Sequence, residues 1–311
     1  MYDKIVLVTR KTRLEELVER FNTRAQAKFY IEHMGLDFGD YDREHATYQS
    51  TVAQLQRDLE GLAKIQTIER GFLPNFIFTP RDLVVTAGPD GLVVNTAKYL
   101  AGQPIVAVNP DPARYDGVLL PFTAGQARAG VLRVLQERAS VHAITMAEVR
   151  LNDGQRLLAF NDFLVGQRTH VSARYRLDWH GHSEEQSSSG VLVSTGAGST
   201  GWLSSVQNMA QSVSRLLGRG EERKPRLRLG WDDPRLVFVV REPFRTQITG
   251  TRLTAGWIDG QEELHLESHM PEGGVIFSDG IECDALAFNS GSVAVIRAAA
   301  ERTRLVKSLA V

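Results

Sequence analysis

The chain has 311 residues, 42% apolar and 23% charged, with 36 Lys and Arg against 37 Asp and Glu for a formal net charge of −1. That is the make-up of a soluble globular protein of one large or two ordinary domains, and the balanced charge offers no footprint for nucleic acid or an anionic membrane. A single cysteine, Cys283, excludes an internal disulfide framework and fits a reducing compartment.

The first segment, Lys4-Ile-Val-Leu-Val-Thr9, reads as a strand with no charged-then-apolar leader ahead of it. No stretch reaches membrane-spanning length, so a cytoplasmic location is expected. Helical spacing follows over Arg13–Met34 (Leu14, Leu17, Phe21, Phe29, Ile31) and Tyr41–Leu62 (Val52, Leu55, Leu59, Leu62). The aromatics Phe21, Phe29 and Tyr30 read as helix core. Strands at Lys64–Ile68, Leu83–Val85 and Pro104–Val108 then alternate with helices at 92–100 and Gly125–Arg138. Such alternation predicts a parallel sheet covered on both faces.

From about residue 141 the pattern changes to short alternating or apolar runs between turn signals. These are His142–Leu151, Gln155–Phe160, Ser172–Trp179, Gly190–Ser194, Leu236–Val240, Leu253–Ile258, Glu263–Glu267, Gly274–Ser278 and Ser292–Ile296. Only Gly201–Leu217 reads as a helix there. The expected architecture is an α/β domain with a parallel sheet over residues 1–140 and a β-rich domain over 141–296. Near the end of the chain Ala298–Glu301 has helix-forming character, and Leu305, Val306 and Leu309 are apolar.

Two loops carry chemistry. In Gly190–Ser205 an apolar run, Val191-Leu-Val193, breaks into glycines and hydroxyls from Thr195 to Gly201 before a helix starts at Trp202. Small residues let a ligand approach the backbone, hydroxyls donate and accept, and free N–H groups at a helix start attract anions. Asp82-Leu-Val-Val-Thr-Ala-Gly-Pro-Asp-Gly-Leu92 repeats the design as strand, tight turn and helix. It puts Asp90 at the carboxyl end of a parallel strand, the edge at which open α/β sheets bind ligands. Each loop by itself also suits ordinary turn chemistry.

Other features read more plainly. His180-Gly181-His182 lacks a third metal ligand and reads as a solvated hairpin turn. The basic stretch Gly218–Gly230 reads as an exposed connection, although its cations suit phosphate. Asp232-Asp233-Pro234 reads as a turn. Neither Ser199 nor Ser204 lies in the Gly-x-Ser-x-Gly elbow of a hydrolase nucleophile.

Taken in order, the motifs resemble the NAD kinase family. Its pattern is a strand leading to Gly-Gly-Asp-Gly-Thr, a Gly-x-Asn motif, an Asn-Glu pair, a Thr-x-Thr-Gly-Ser-Thr-Ala-Tyr loop and a late Asp-Gly. This chain has Gly88-Pro-Asp-Gly-Leu92, Ala107-Val-Asn-Pro-Asp-Pro112, Asn161-Asp162, Thr195-Gly-Ala-Gly-Ser-Thr-Gly-Trp202 and Asp279-Gly280. Thr12-Arg13, Asn109–Pro112, Ser188-Ser-Gly190 and Arg241–Pro243 resemble the mitochondrial-type branch most.

The resemblance implies a two-domain fold in which the segment 297–311 returns to join the first domain and docks on its sheet. It also implies transfer of the γ-phosphoryl of ATP, with Mg²⁺, to the 2′-hydroxyl of the adenosine ribose of NAD. It implies a homodimer or homotetramer that uses no nucleic acid or membrane partner. It casts Asp90 as the residue that orients or accepts the ribose proton, and Asn161 and Asp162 as the grip on the dinucleotide at an interdomain cleft. Gly88, Gly91, Asn109, Thr195, Gly198, Ser199, Thr200, Gly201 and Ser205 would line the binding site. Trp202, in the family's Tyr position, would face an aromatic ring.

Four departures bear on this. Pro89 replaces a glycine and removes an N–H, and Leu92 replaces a threonine and removes a hydroxyl. Asp162 shortens a glutamate, and Ser189 stands where many bacterial members have an acid. Two other readings stay open: a kinase for another hydroxyl compound such as a sugar, and a binding protein that senses NAD(P) or another nucleotide without catalysis.

Overall fold

A computed structural model describes residues 2–218 and 227–308. Most of the basic stretch 218–230 therefore lies outside the described residues, as does Leu309. The chain divides into two compact units, Met1–His142 with Thr303–Val311, and Ala143–Arg302. No helix among the described residues is long and apolar enough to cross a membrane.

The first unit is α/β. Its elements are β1 (Lys4–Thr9), α1 (Arg13–Phe21), α2 (Arg24–His33), α3 (Phe38–Leu59), β2 (Lys64–Glu69), β3 (Asp82–Ala87), α4 (Asp90–Ala97), β4 (Pro104–Asn109), the short β5 (Phe122–Thr123) and α5 (Ala124–Leu135). The strands run parallel in the order β2-β1-β3-β4. Ile5–Val8, Leu83–Val85 and Ile105–Val108 are fully buried, as expected of strands covered on both faces. The core joins Ile5, Leu7, Val85, Val106 and Val108 to Leu55 and Leu59 of α3 and to Val131 and Val134 of α5.

Three sequence expectations change in this unit. The single helix over Arg13–Met34 is two. Asn22 turns left-handed at φ 65° and ends α1, and the Thr23 hydroxyl accepts the Gln26 N–H at 3.2 Å to start α2. Asn tolerates that conformation and Thr caps well, so a continuing apolar period hid the break. Phe29 is 62% exposed, so it is not core, whereas Phe21 and Tyr30 pack with ring centroids 4.6 Å apart. The helix expected from 92 starts at Asp90, because Pro89 at φ −70° serves as its N-cap residue.

The second unit is β-rich, with β6 (Val141–Leu151), β7 (Arg156–Ala159), β8 (Asp162–Gln167), β9 (Ala173–Trp179), β10 (His182–Ser188), β11 (Val191–Ser194), the helix α6 (Trp202–Leu216), β12 (Leu236–Val240), β13 (Ala255–Ile258), β14 (Leu264–Ser268), β15 (Gly274–Ser278), β16 (Ile281–Ala287) and β17 (Val293–Val306). One antiparallel sheet runs β13-β12-β11-β8-β15-β16. The other antiparallel strands run β10-β9-β14-β17, with β6 pairing β17 and β7. Both sets share a core that includes Phe163, Tyr175, Val193, Phe238, Leu266, Ile276 and Phe288. His180 (φ 51°) and Gly181 (φ 72°) form the β9–β10 hairpin turn, as read from the sequence. Strands β8, β10 and β16 were not legible in the sequence.

Ala298–Glu301 is strand, not helix: it lies inside β17, where cross-strand partners override helix propensity. The end of that strand belongs to the first unit. Arg304 and Leu305 pair in parallel with Pro104 and Ile105 of β4, and Leu305 and Val306 are buried there. Leu305→Ala should therefore cost about 2–5 kcal/mol through the cavity it leaves. Urea unfolding checks this, and an unchanged midpoint would mean that the returning strand does not brace the first unit.

Candidate functional site

Each unit holds part of the residue set expected from the sequence. In the first, Gly88 follows β3 and is buried under the side chain of Leu92: a Cβ at residue 88 would stand 2.6 Å from Leu92 Cδ2. Leu92 is only 2% exposed, so its side chain is core. Asp90 is the first residue of α4, at the carboxyl edge of the parallel sheet, with Gly91 exposed beside it. Its Oδ1 accepts the Leu119 N–H at 2.6 Å. Asn109, at the end of β4, is buried and shapes the following loop: its Oδ1 accepts the Asp111 N–H at 3.1 Å and its Nδ2 donates to the Tyr115 carbonyl at 2.9 Å.

In the second unit the hydroxyl loop is tied to the corner between β7 and β8. The Thr195 hydroxyl donates to the Phe160 carbonyl at 2.6 Å and accepts the Gly198 N–H at 3.2 Å, while its N–H donates to the Asn161 carbonyl at 2.9 Å. Gly198 lies so close that a Cβ there would come within 2.2 Å of the Asn161 carbonyl oxygen. The buried Ser199 hydroxyl donates to the Gly196 carbonyl at 2.7 Å and accepts the Leu229 N–H at 3.2 Å. Thr195, Gly198 and Ser199 thus build the loop. Thr200, Gly201 and Ser205 are exposed at the start of α6. Trp202 is half-buried, with the Arg241 guanidinium 5.2 Å from its ring centre.

The corner itself rests on Asp279, which turns left-handed at φ 54°. Its carboxylate accepts the N–H groups of Phe160 at 2.9 Å, Asn161 at 2.6 Å and Asp162 at 3.2 Å. Asp162, first in β8, is buried, and burial together with the nearby Asp279 charge pushes its carboxyl up to about 7. A cavity of 210 Å³ is lined by Asp162, Leu164, Trp202, Phe277, Gly280 and Glu282. It brings two expected residues, Asp162 and Trp202, together with Leu164, Phe277 and Glu282, which sequence reasoning did not select. The late Asp-Gly motif was the signal for that wall. Aromatic faces and carboxyls suit a flat ring bearing N–H donors, and the volume holds one heterocycle rather than a whole dinucleotide.

No protein-family profile matches the chain, and no curated protein matches it. Solved structures do. A yeast NADH kinase complexed with NADH aligns at a TM-score of 0.59 with 14% identity, over 99% of this chain and 84% of that one. An NAD kinase from Archaeoglobus fulgidus in complex with ATP aligns at 0.53 with 15% identity, over 98% and 94%. The fold is that of the NAD(H) kinases. Its α/β unit with parallel strands and its β-rich unit are as the sequence led us to expect.

The raised Asp162 has a consequence for stability. The fold binds its proton more tightly than the unfolded chain does, so its contribution is fully present below about pH 4 and is lost as pH rises through about 7. Asp162→Asn should remove that loss. The variant should be more stable than wild type by about 1–3 kcal/mol at pH 8 and no more stable at about pH 4. Urea titrations at the two pH values test it, and an equal difference at both would refute a buried, proton-hungry carboxyl.

Proposed function

We propose that this chain is a kinase that moves the γ-phosphoryl of Mg-ATP onto the 2′-hydroxyl of the adenosine ribose of NAD. The observation that carries the reading is Asp90, a carboxylate at the carboxyl edge of the parallel sheet with one oxygen held by an amide. The fold shared with kinases whose complexes carry NADH and ATP supports it. Phosphoryl transfer is loose, so it asks for positioning, charge neutralisation and exclusion of water rather than covalent work.

In this reading Asp90 orients the acceptor hydroxyl and takes its proton. Asn161 and Asp162 bind the dinucleotide, Trp202 stacks on one of its rings, and Thr200, Gly201 and Ser205 contact it from the start of α6. Thr195, Gly198, Ser199 and Asn109 hold the loops in shape. Mg²⁺ arrives with ATP. Because Pro89 brings no N–H and Leu92 is buried, donor phosphates would meet the amides of Asp90 and Gly91 at the start of α4. Assembly as a homodimer or homotetramer in the cytoplasm belongs to the same proposal.

Those two substitutions also favour a second reading, a dinucleotide sensor that transfers no phosphate. Thermal shift separates the two: a sensor is stabilised by NAD(H) or NADP(H) alone, a kinase by Mg-ATP as well. In the kinase, Asp90→Asn keeps the shape and removes the basicity. Turnover of NAD to NADP should fall by about two to four orders of magnitude while NAD affinity stays near wild type. Near wild-type turnover in Asp90→Asn would defeat the mechanism, and no NADP from the wild type with any nucleoside triphosphate or polyphosphate would defeat the kinase.

A further inference from the structure

The carboxylate of Asp90 is held from a distance. Its partner, the Leu119 N–H, belongs to the loop between β4 and β5, which has no regular structure of its own over most of its length. Four anchors shape that loop. The Thr51 hydroxyl of α3 donates to the Pro110 carbonyl at 3.1 Å. Asn109 ties its first turn through Asp111 and Tyr115. The Tyr115 hydroxyl accepts from Arg10 Nη2 at 2.9 Å. Arg114 grips Asp40 of α3 as a fork, with Nη2 on Oδ1 at 2.5 Å and Nη1 on Oδ2 at 3.1 Å.

Asp40 is itself fixed, because Arg13 donates to it at 2.8 Å. Arg13 also bonds Glu44, a buried carboxylate that accepts from Arg10 at 2.6 Å. Arg114 foremost, then Arg13, holds the Asp40 carboxyl well below the usual carboxylate range. The chain of contacts runs from α1 and α3 through Arg114 to the loop, and from the loop to Asp90.

We propose that Arg114 is a positioning residue for Asp90, an inference that rests on the kinase reading. The Arg114–Asp40 fork sets the loop so that the Leu119 N–H pins Oδ1. That contact restrains the carboxylate and leaves Oδ2, which takes no hydrogen bond from the described residues, for the acceptor hydroxyl. A lysine cannot replace the arginine fully, because a single ammonium does not reproduce the two-point grip. The fork is partly exposed, with 27% of the Arg114 side chain and 36% of the Asp40 side chain accessible, so its role is orientation more than stability.

The test measures steady-state kinetics and amide exchange on the full-length protein. Arg114→Ala should lower kcat by about 10- to 100-fold with the KM values for NAD and ATP unchanged, as expected of a misplaced base. Its Leu119 amide should exchange about ten times faster, as it should in Asp90→Ala, which removes the acceptor. Arg114→Lys should recover part of kcat, and Asp40→Asn should match Arg114→Ala, with the double variant no worse than either.

Wild-type protection of Leu119 in Arg114→Ala would overturn the proposal, whatever happens to activity. So would a loss of melting temperature with KM raised and kcat intact, which is the mark of a structural residue. If the wild type makes no NADP, the kinase reading fails separately. The exchange data then still decide whether Arg114 sets the contact between Leu119 and Asp90.

Discussion

Much of the second unit depends on one carboxylate meeting successive backbone amides. Asp279 accepts from Phe160, Asn161 and Asp162, and a negative charge partly withdrawn from water is tolerable because it is exchanged for charge-assisted hydrogen bonds. The contact fixes the corner between β7 and β8. It aims the Phe160 and Asn161 carbonyls at Thr195, which in turn sets the end of β11, the hydroxyl loop and the start of α6. The same charge faces Asp162 and adds to burial in keeping that carboxyl protonated to higher pH. Shape and electrostatics of the cavity thus have one origin.

The first unit solves the parallel problem with charge against charge. Glu44, 3% exposed, would be costly alone; Arg10 and Arg13 both reach it, and Arg13 and Arg114 both reach Asp40. Such pairs contribute little net stability once desolvation and side-chain entropy are counted. What they supply is direction. A planar guanidinium that serves two acids can satisfy both in only a narrow range of geometry, so the loop after β4 inherits its position from α1 and α3.

The elements whose pattern has a single physical cause were legible in the sequence. The buried parallel strands showed as apolar runs, α6 showed its helical spacing, and the glycine-hydroxyl loop and Asp90 were visible as motifs. Elements fixed by competition were not. Asn22 and Thr23 break a helix whose apolar period runs on, and the long β17 overrides the helix preference of Ala298–Glu301 by pairing. In β16, Glu282, Cys283 and Asp284 sit in a half-exposed strand with a weak apolar alternation. For the site, Thr195, Ser199 and Asn109 were seen as ligand-facing and turn out to face the backbone. Their spacing shows that polar groups are needed, but it cannot show whether a ligand or a neighbouring amide satisfies them.

Pro89 and Leu92 fit this picture when considered together with Gly88. Leu92 folds over the glycine and is buried, which contributes on the order of 2 kcal/mol that a threonine hydroxyl in the same place would not. Pro89 holds φ at −70° just ahead of α4, which narrows the unfolded ensemble and stiffens the entry to the helix. Against the pattern that its motif resembles, the turn lacks one N–H and one hydroxyl and has an apolar lock on one side and a rigid hinge on the other. Between them stands Asp90, with its backbone fixed by both neighbours and its carboxylate fixed by Leu119. On the proposed reading, a loose phosphoryl transfer depends more on where the acceptor oxygen is held than on how many donors the turn offers to phosphate. Substitutions that weaken a phosphate cradle while stiffening the turn around the base act on different steps, so they can coexist with catalysis.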